Sequence, residues 1–271
     1  MLIAFFAAAY ALAWTFFGLG ALASGRAGLP SILFYLGAIS PSLAAVAVVW
    51  HREGTSGVAA LLGRLLRWRV HWGWYVFAVA YFPAIKLGAA LVHRLAFDAW
   101  PRFGNEAWYV MLVGTFLAVP LGGQAGEEVG WRGFALPRLA NRFGLPAASV
   151  LLGVIWAAWH LPLFFIPGVD KTGQSFPLYA AQVTAISIVL AWLYLNTNES
   201  LLLVTLMHSA INQTIGIVPS AESGATNPFT LHASRIAWIT AALLWATAAY
   251  FLMRLRGRNL SVDDSVVASL R

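Results

Sequence analysis

A chain of 271 residues that is 60% hydrophobic and only 10% charged, with a mean hydropathy of +0.74, is too apolar for a soluble domain, in which about a quarter of residues carry charge. Cysteine is absent, which excludes a disulfide framework, a thiolate nucleophile and any Cys-ligated zinc or iron–sulfur centre. The net charge of +7 comes from basic residues in short loops and a tail, with no stripe of interleaved exposed aromatics, so it marks a membrane face and no nucleic-acid partner is expected.

A spanning helix needs about 20 mostly apolar residues, and eight candidates follow in order. Residues 1–23 form the first, too long and too uniformly apolar for a signal peptide and without a basic leader. The second, 31–50, carries Pro41 as a kink. A basic loop follows, within which 58–68 has the pattern of a short amphipathic helix lying on the membrane surface. The third span, 72–97, contains Pro83 and Lys86, and a polar loop separates it from the fourth, 107–124. A segment from Gly126 to Phe143 then precedes the fifth span, 146–166. The sixth (178–195) and seventh (201–218) are joined by the polar turn 196–200, and the eighth is 233–255, followed by a polar tail expected to be disordered. The expected fold is therefore all-α, a polytopic transmembrane helix bundle of about eight spans.

An even number of spans puts both termini on one side. Eleven basic residues, Arg132 among them, fall on that side against five on the other, which places the termini in the cytoplasm and Glu127 and Glu128 near that face. No internal repeat of the kind found in many transporters is evident.

The chemistry concentrates in few residues. Charge at membrane depth costs roughly 2.5–3.5 kcal/mol per group on insertion scales, so Glu127 and Glu128 need a use. Glu128 and Arg132 are four apart and share a helical face, which fits an ion pair. Glu127 points about 100° away, so Arg132 does not readily serve both, and Glu127 is left as a candidate general base. Gly122, Gly123, Gly126 and Gly130 would let other backbone approach closely. His160 follows Trp156 by one turn, and alone it reads as a helix-end residue. His208 and Asn212, also four apart, read singly as an interhelical polar pair. Together these groups could line a polar chamber in which a carboxylate takes a proton and His and Asn donate to an oxyanion. Glu127, His160 and His208 would equally suit zinc, although no HExxH motif is present.

The run Glu127-Glu128-Val129-Gly130-Trp131-Arg132 resembles the EExxxR motif of the CAAX protease and bacteriocin-processing family of intramembrane endopeptidases. Trp156 to His160 is similar to its FxxxH motif, with Trp in place of the usual Phe, and His208 to Asn212 to its HxxxN motif. The resemblance implies a catalytic core over 107–218, flanked by three N-terminal spans in 1–106 and by the last span and cytoplasmic tail in 219–271. It implies Glu127 as the base that activates water and His160 as the residue that holds it. His208 and Asn212 would stabilise the oxyanion, and Glu128 and Arg132 would support them. It further implies a cavity open to the cytoplasmic side that admits the C-terminal segment of a lipid-modified or membrane-bound peptide. A metal-free mechanism is favoured, with zinc as the alternative. The competing classes are an inactive immunity or scaffold protein and a proton-coupled transporter.

Overall fold

The computed structural model describes residues 1–23, 25, 28–121, 123–219 and 227–258, so Gly122 and most of the polar tail lie outside the described residues. Within these residues the chain is helical throughout. It runs α1 (Leu2–Leu22), α2 (Leu29–Ala38), α3 (Ser40–Gly63), α4 (Trp72–Phe97), α5 (Trp108–Leu121) and α6 (Gln124–Glu128). A π-helical stretch, Val129–Ala135, leads into α7 (Leu136–Phe143), α8 (Leu145–Trp159), α9 (Phe176–Asn196), α10 (Leu201–Thr214) and α11 (Arg235–Leu255).

Five helices are long and apolar enough to cross a membrane unaided. Two bent pairs, α2 with α3 and α5 with the α6–α7 segment, each make one further broken span, and α10 with its 3-10 extension is a shorter apolar helix. That makes five to seven candidate spans of an integral membrane protein, roughly consistent with the eight expected, with α10 the one that falls short of the spanning length. Each of the last three begins with a serine whose hydroxyl accepts a backbone N–H of the first turn: Ser175, Ser200 and Ser234.

The second crossing bends by 47° between Ala38 and Ser40, with Pro41 in the first turn of α3, where its missing N–H costs no helical hydrogen bond. Onto this break packs the stretch that carries the carboxylates. A Cβ on Gly126 would lie 2.6–2.8 Å from atoms of Ile39, and one on Gly130 within 2.5–2.6 Å of Pro41. Only glycine permits backbones this close. Phe5 of α1 closes the other side, its ring 5.6 Å from Trp131 and 4.7 Å from Phe134.

Three local expectations change. The 126–143 segment is not a separate element between spans: it continues α5 through a 49° bend, so Glu127 and Glu128 stand inside the fourth crossing. Arg132 is likewise fully buried within that crossing, not a loop charge, and drops out of the topology count. The 58–68 stretch begins as a short helix that a break at Gly54, with its positive φ, sets off from the rest of α3, ends in a 3-10 turn at Arg64–Leu66, and is held on one face by protein contacts. Leu61 packs against Gly133, and Arg64 donates to the Gly133 carbonyl (3.1 Å) and the Tyr194 hydroxyl (2.8 Å).

Side-chain contacts sort the loops into two ends. At one, Met1 adjoins His51 and Arg52, Arg138 pairs with Glu53, Arg67 donates to the Asn198 carbonyl and Arg258 to Asn196. At the other, Arg235 lies over Phe97, the Gly104 amide donates to the Ile217 carbonyl, and Ser175 donates to the Thr230 carbonyl.

Candidate active site

Glu127 and Glu128 end α6 and are both buried, yet they take different partners. Glu128 accepts from one terminal nitrogen of Arg132, at 2.8 and 3.0 Å to its two oxygens, and from Nδ1 of His208 at 2.8 Å. The Arg132 guanidinium also lies over the Trp156 ring, 4.4 Å from its centre, a cation–π contact that strengthens where water is excluded. Glu127 instead accepts the indole N–H of Trp156 at 2.7 Å. The expected division of the two carboxylates, one in an ion pair and one facing elsewhere, is present.

Trp156 is the hub of the cluster. Its ring is 5.1 Å from that of His208 and 5.9 Å from that of His160. His160 ends α8, its Nδ1 2.9 Å from the Trp156 carbonyl, and its ring meets Tyr179 at 5.5 Å. A carbonyl only accepts, so the His160 proton sits on Nδ1 and the Nε2 lone pair is left for the cavity. The same logic applies to His208 against an ionised Glu128: Nε2 donates into the cavity only when the ring carries both protons.

These groups wall a cavity of about 390 Å³, in the range of ligand sites. Glu127, Trp156, His160, His208 and Asn212 line it, while Glu128 and Arg132 stand behind. All six residues singled out in the sequence thus meet at one place. On α10 the lining begins at His208, midway along the helix, and proceeds through Asn212 to Gly216 and Pro219 beyond its C-terminal end. On α9 it includes Tyr179 and ends at Ile186. Asp170 and Lys171 of the α8–α9 loop also line it, Lys171 5.4 Å over the Tyr179 ring.

Two contributors escaped sequence reasoning. Trp156 read as a packing variant, but a buried indole N–H needs an acceptor, and in a polar chamber that acceptor is a carboxylate. Lys86, buried in α4, also lines the cavity. Its signal was visible as the one lysine within a span. Among the described residues no three His, Asp or Glu side chains are gathered so as to hold a metal ion.

The fold and site define a helical integral membrane protein with a carboxylate–histidine chamber. Residues 105–214, which include all three motifs, match the model of the family described as Type II CAAX prenyl endopeptidase Rce1-like. CAAX prenyl protease 2 of Methanococcus maripaludis is 33% identical over 92 residues, 32% of this chain and 34% of that protein. The match therefore spans about a third of the length of this relative.

Proposed function

We propose that the protein is an intramembrane endopeptidase that hydrolyses a peptide bond near the C-terminus of a membrane-associated protein or peptide. The observation that carries this reading is the separation of Glu127 from Glu128: one carboxylate is locked to Arg132 and His208, the other faces the cavity. Glu127, oriented by the Trp156 N–H, takes a proton from water as the oxygen attacks the scissile carbonyl carbon. His160 accepts a hydrogen bond from that water through Nε2. The Asn212 amide donates to the developing oxyanion, joined by His208 when its ring is doubly protonated. Glu127 then returns its proton to the departing amine nitrogen as the C–N bond breaks. Glu128 and Arg132 hold His208 in place. The mechanism needs no metal, and the family match and the relative's name support a peptide substrate. Residence in the cell membrane, with both termini cytoplasmic, is part of the same reading.

The test is cleavage of membrane-anchored C-terminal peptides by the purified, detergent-solubilised protein, with and without a strong chelator. Glu127→Gln keeps the volume and an acceptor for Trp156 but cannot take the proton. It is expected to lower kcat by about 10²–10⁴, the usual worth of a general base, with an unchanged Tm. Near wild-type turnover in this variant would remove Glu127 from the mechanism. Loss on chelation, restored by zinc, would make Glu127 and the histidines metal ligands.

A further inference from the structure

The cavity and the arginines occupy opposite ends of the bundle. Among the described residues, nine arginines lie at the end that gathers Met1, the α3–α4 connection, α7 and the end of α11: Arg52, Arg64, Arg67, Arg69, Arg138, Arg142, Arg254, Arg256 and Arg258. Four basic residues lie at the other: Arg94, Arg102, Lys171 and Arg235. These are short loops, where an excess of Lys and Arg fixes the cytoplasmic side. Removing Arg132 from the count, as its burial requires, leaves the bias standing.

The cavity runs the other way. Its deepest residues, Glu127 and His208, are at mid-depth, and every helix that contributes does so from there toward the arginine-poor end. On α10 the wall starts at His208 and leaves the helix at Pro219. On α9 no wall residue lies beyond Ile186, ten residues short of the C-terminal end at Asn196. On α8 the wall is Trp156, His160 and then Leu163, past the helix end, followed by the loop residues Asp170 and Gln174. At the arginine-rich end the bundle is closed by the contacts of Arg64 and Arg67 with Glu199, which is only 5% exposed.

We propose that the catalytic chamber opens on the non-cytoplasmic side of the membrane, so that the substrate is a polypeptide segment presented there, on a secreted or membrane-anchored protein that has already crossed. This inference rests on reading the cavity as the catalytic site. It reverses the cytoplasmic opening that the sequence resemblance implies, and it excludes substrates whose cleavage site stays in the cytoplasm.

The natural absence of cysteine makes the test direct, because any introduced thiol is the only one. Asn105→Cys lies exposed in the loop at the arginine-poor end, Asn141→Cys lies exposed at the arginine-rich end, and Gln174→Cys lies at the cavity rim. None of the three alters the charge balance that sets topology. Intact cells expressing each full-length variant are treated with a membrane-impermeant maleimide, before and after permeabilisation. The expected result is labelling of Asn105→Cys and Gln174→Cys in intact cells, with Asn141→Cys gaining label only on permeabilisation. The reverse pattern, or equal labelling of the two asparagine positions in intact cells, overturns the proposal. Labelling reads topology whether or not the protein is a protease, so failure of peptide cleavage leaves this result intact, and a reversed topology leaves the hydrolytic reading intact.

Discussion

Trp156 donates to Glu127 through the one atom that distinguishes an indole from a phenyl ring in polar terms. Replacing it by Phe keeps an aromatic face for Arg132 but removes that hydrogen bond, worth about 1.5–3 kcal/mol when the acceptor is charged. If the bond is formed mainly in the transition-state arrangement, Trp156→Phe lowers kcat by roughly 10–100-fold with a smaller change in KM, since each 1.36 kcal/mol is a factor of ten. Steady-state kinetics on the peptide library measures this. Arg132 belongs to the same scale but to stability. It is fully buried against Glu128, and its removal strands a carboxylate that His208 alone would face. Arg132→Ala is expected to cost about 3–5 kcal/mol, the penalty for breaking a buried pair, read as a large fall in Tm in detergent. Glu127→Gln, by contrast, leaves Tm in place. The division between the two carboxylates was legible in sequence from the 100° step between neighbours on a helix. The place of Trp156 at the centre was not, because it depends on which helix faces α6 across the chamber.

At the scale of the element, the distinctive piece is the π-helical stretch Val129–Ala135 that follows the two glutamates. Such widened turns occur mostly at functional sites, and this one is wedged against the break before α3. Gly130→Ala would place a methyl group 2.5–2.6 Å from Pro41, backbone included, so one of the two segments must move. The expected outcome is lost activity together with a lower Tm. Gly18→Ala in α1, where nothing lies within 4 Å of the added methyl, should be neutral or gain up to about 1 kcal/mol from helix propensity. Paired thermal melts of the two variants check the contrast. The break itself could be anticipated from Pro41. The π-helical register could not, since no residue in 129–135 forbids an ordinary α-turn, and the contacts of this stretch with Phe5 and Pro41 are made by segments distant in sequence. For the same reason the 126–143 segment looked like a connector: its glycines, arginines and low apolar content hide that it is the inner half of a crossing.

Over the whole molecule, the five to seven candidate spans were readable because bilayer thickness fixes a length that apolar runs either reach or do not. What sequence did not convey is which loops share an end, and this is where the ion pairs are informative. Glu199 sits in the α9–α10 turn with a positive φ, near-buried, with Arg64 at 3.5 Å and Arg67 at 3.6 Å. It ties the α3 end to the α9–α10 turn. Glu199→Gln is expected to lower stability by about 1–3 kcal/mol, the cost of weakening a hydrogen-bonded charge cluster, without changing KM for peptides that bind in the distant chamber. Chemical denaturation with parallel kinetics tests both halves of that statement.

The two partners of Glu128 also set a timetable for synthesis. Arg132 is four residues away and can neutralise the carboxylate as soon as that turn forms, whereas His208 is 80 residues further along the chain. The fourth crossing therefore carries its own compensating charge one helical turn away and does not depend on α10 for it. The cavity wall is complete only when α10, with His208 and Asn212, settles beside α4, α5 and α9.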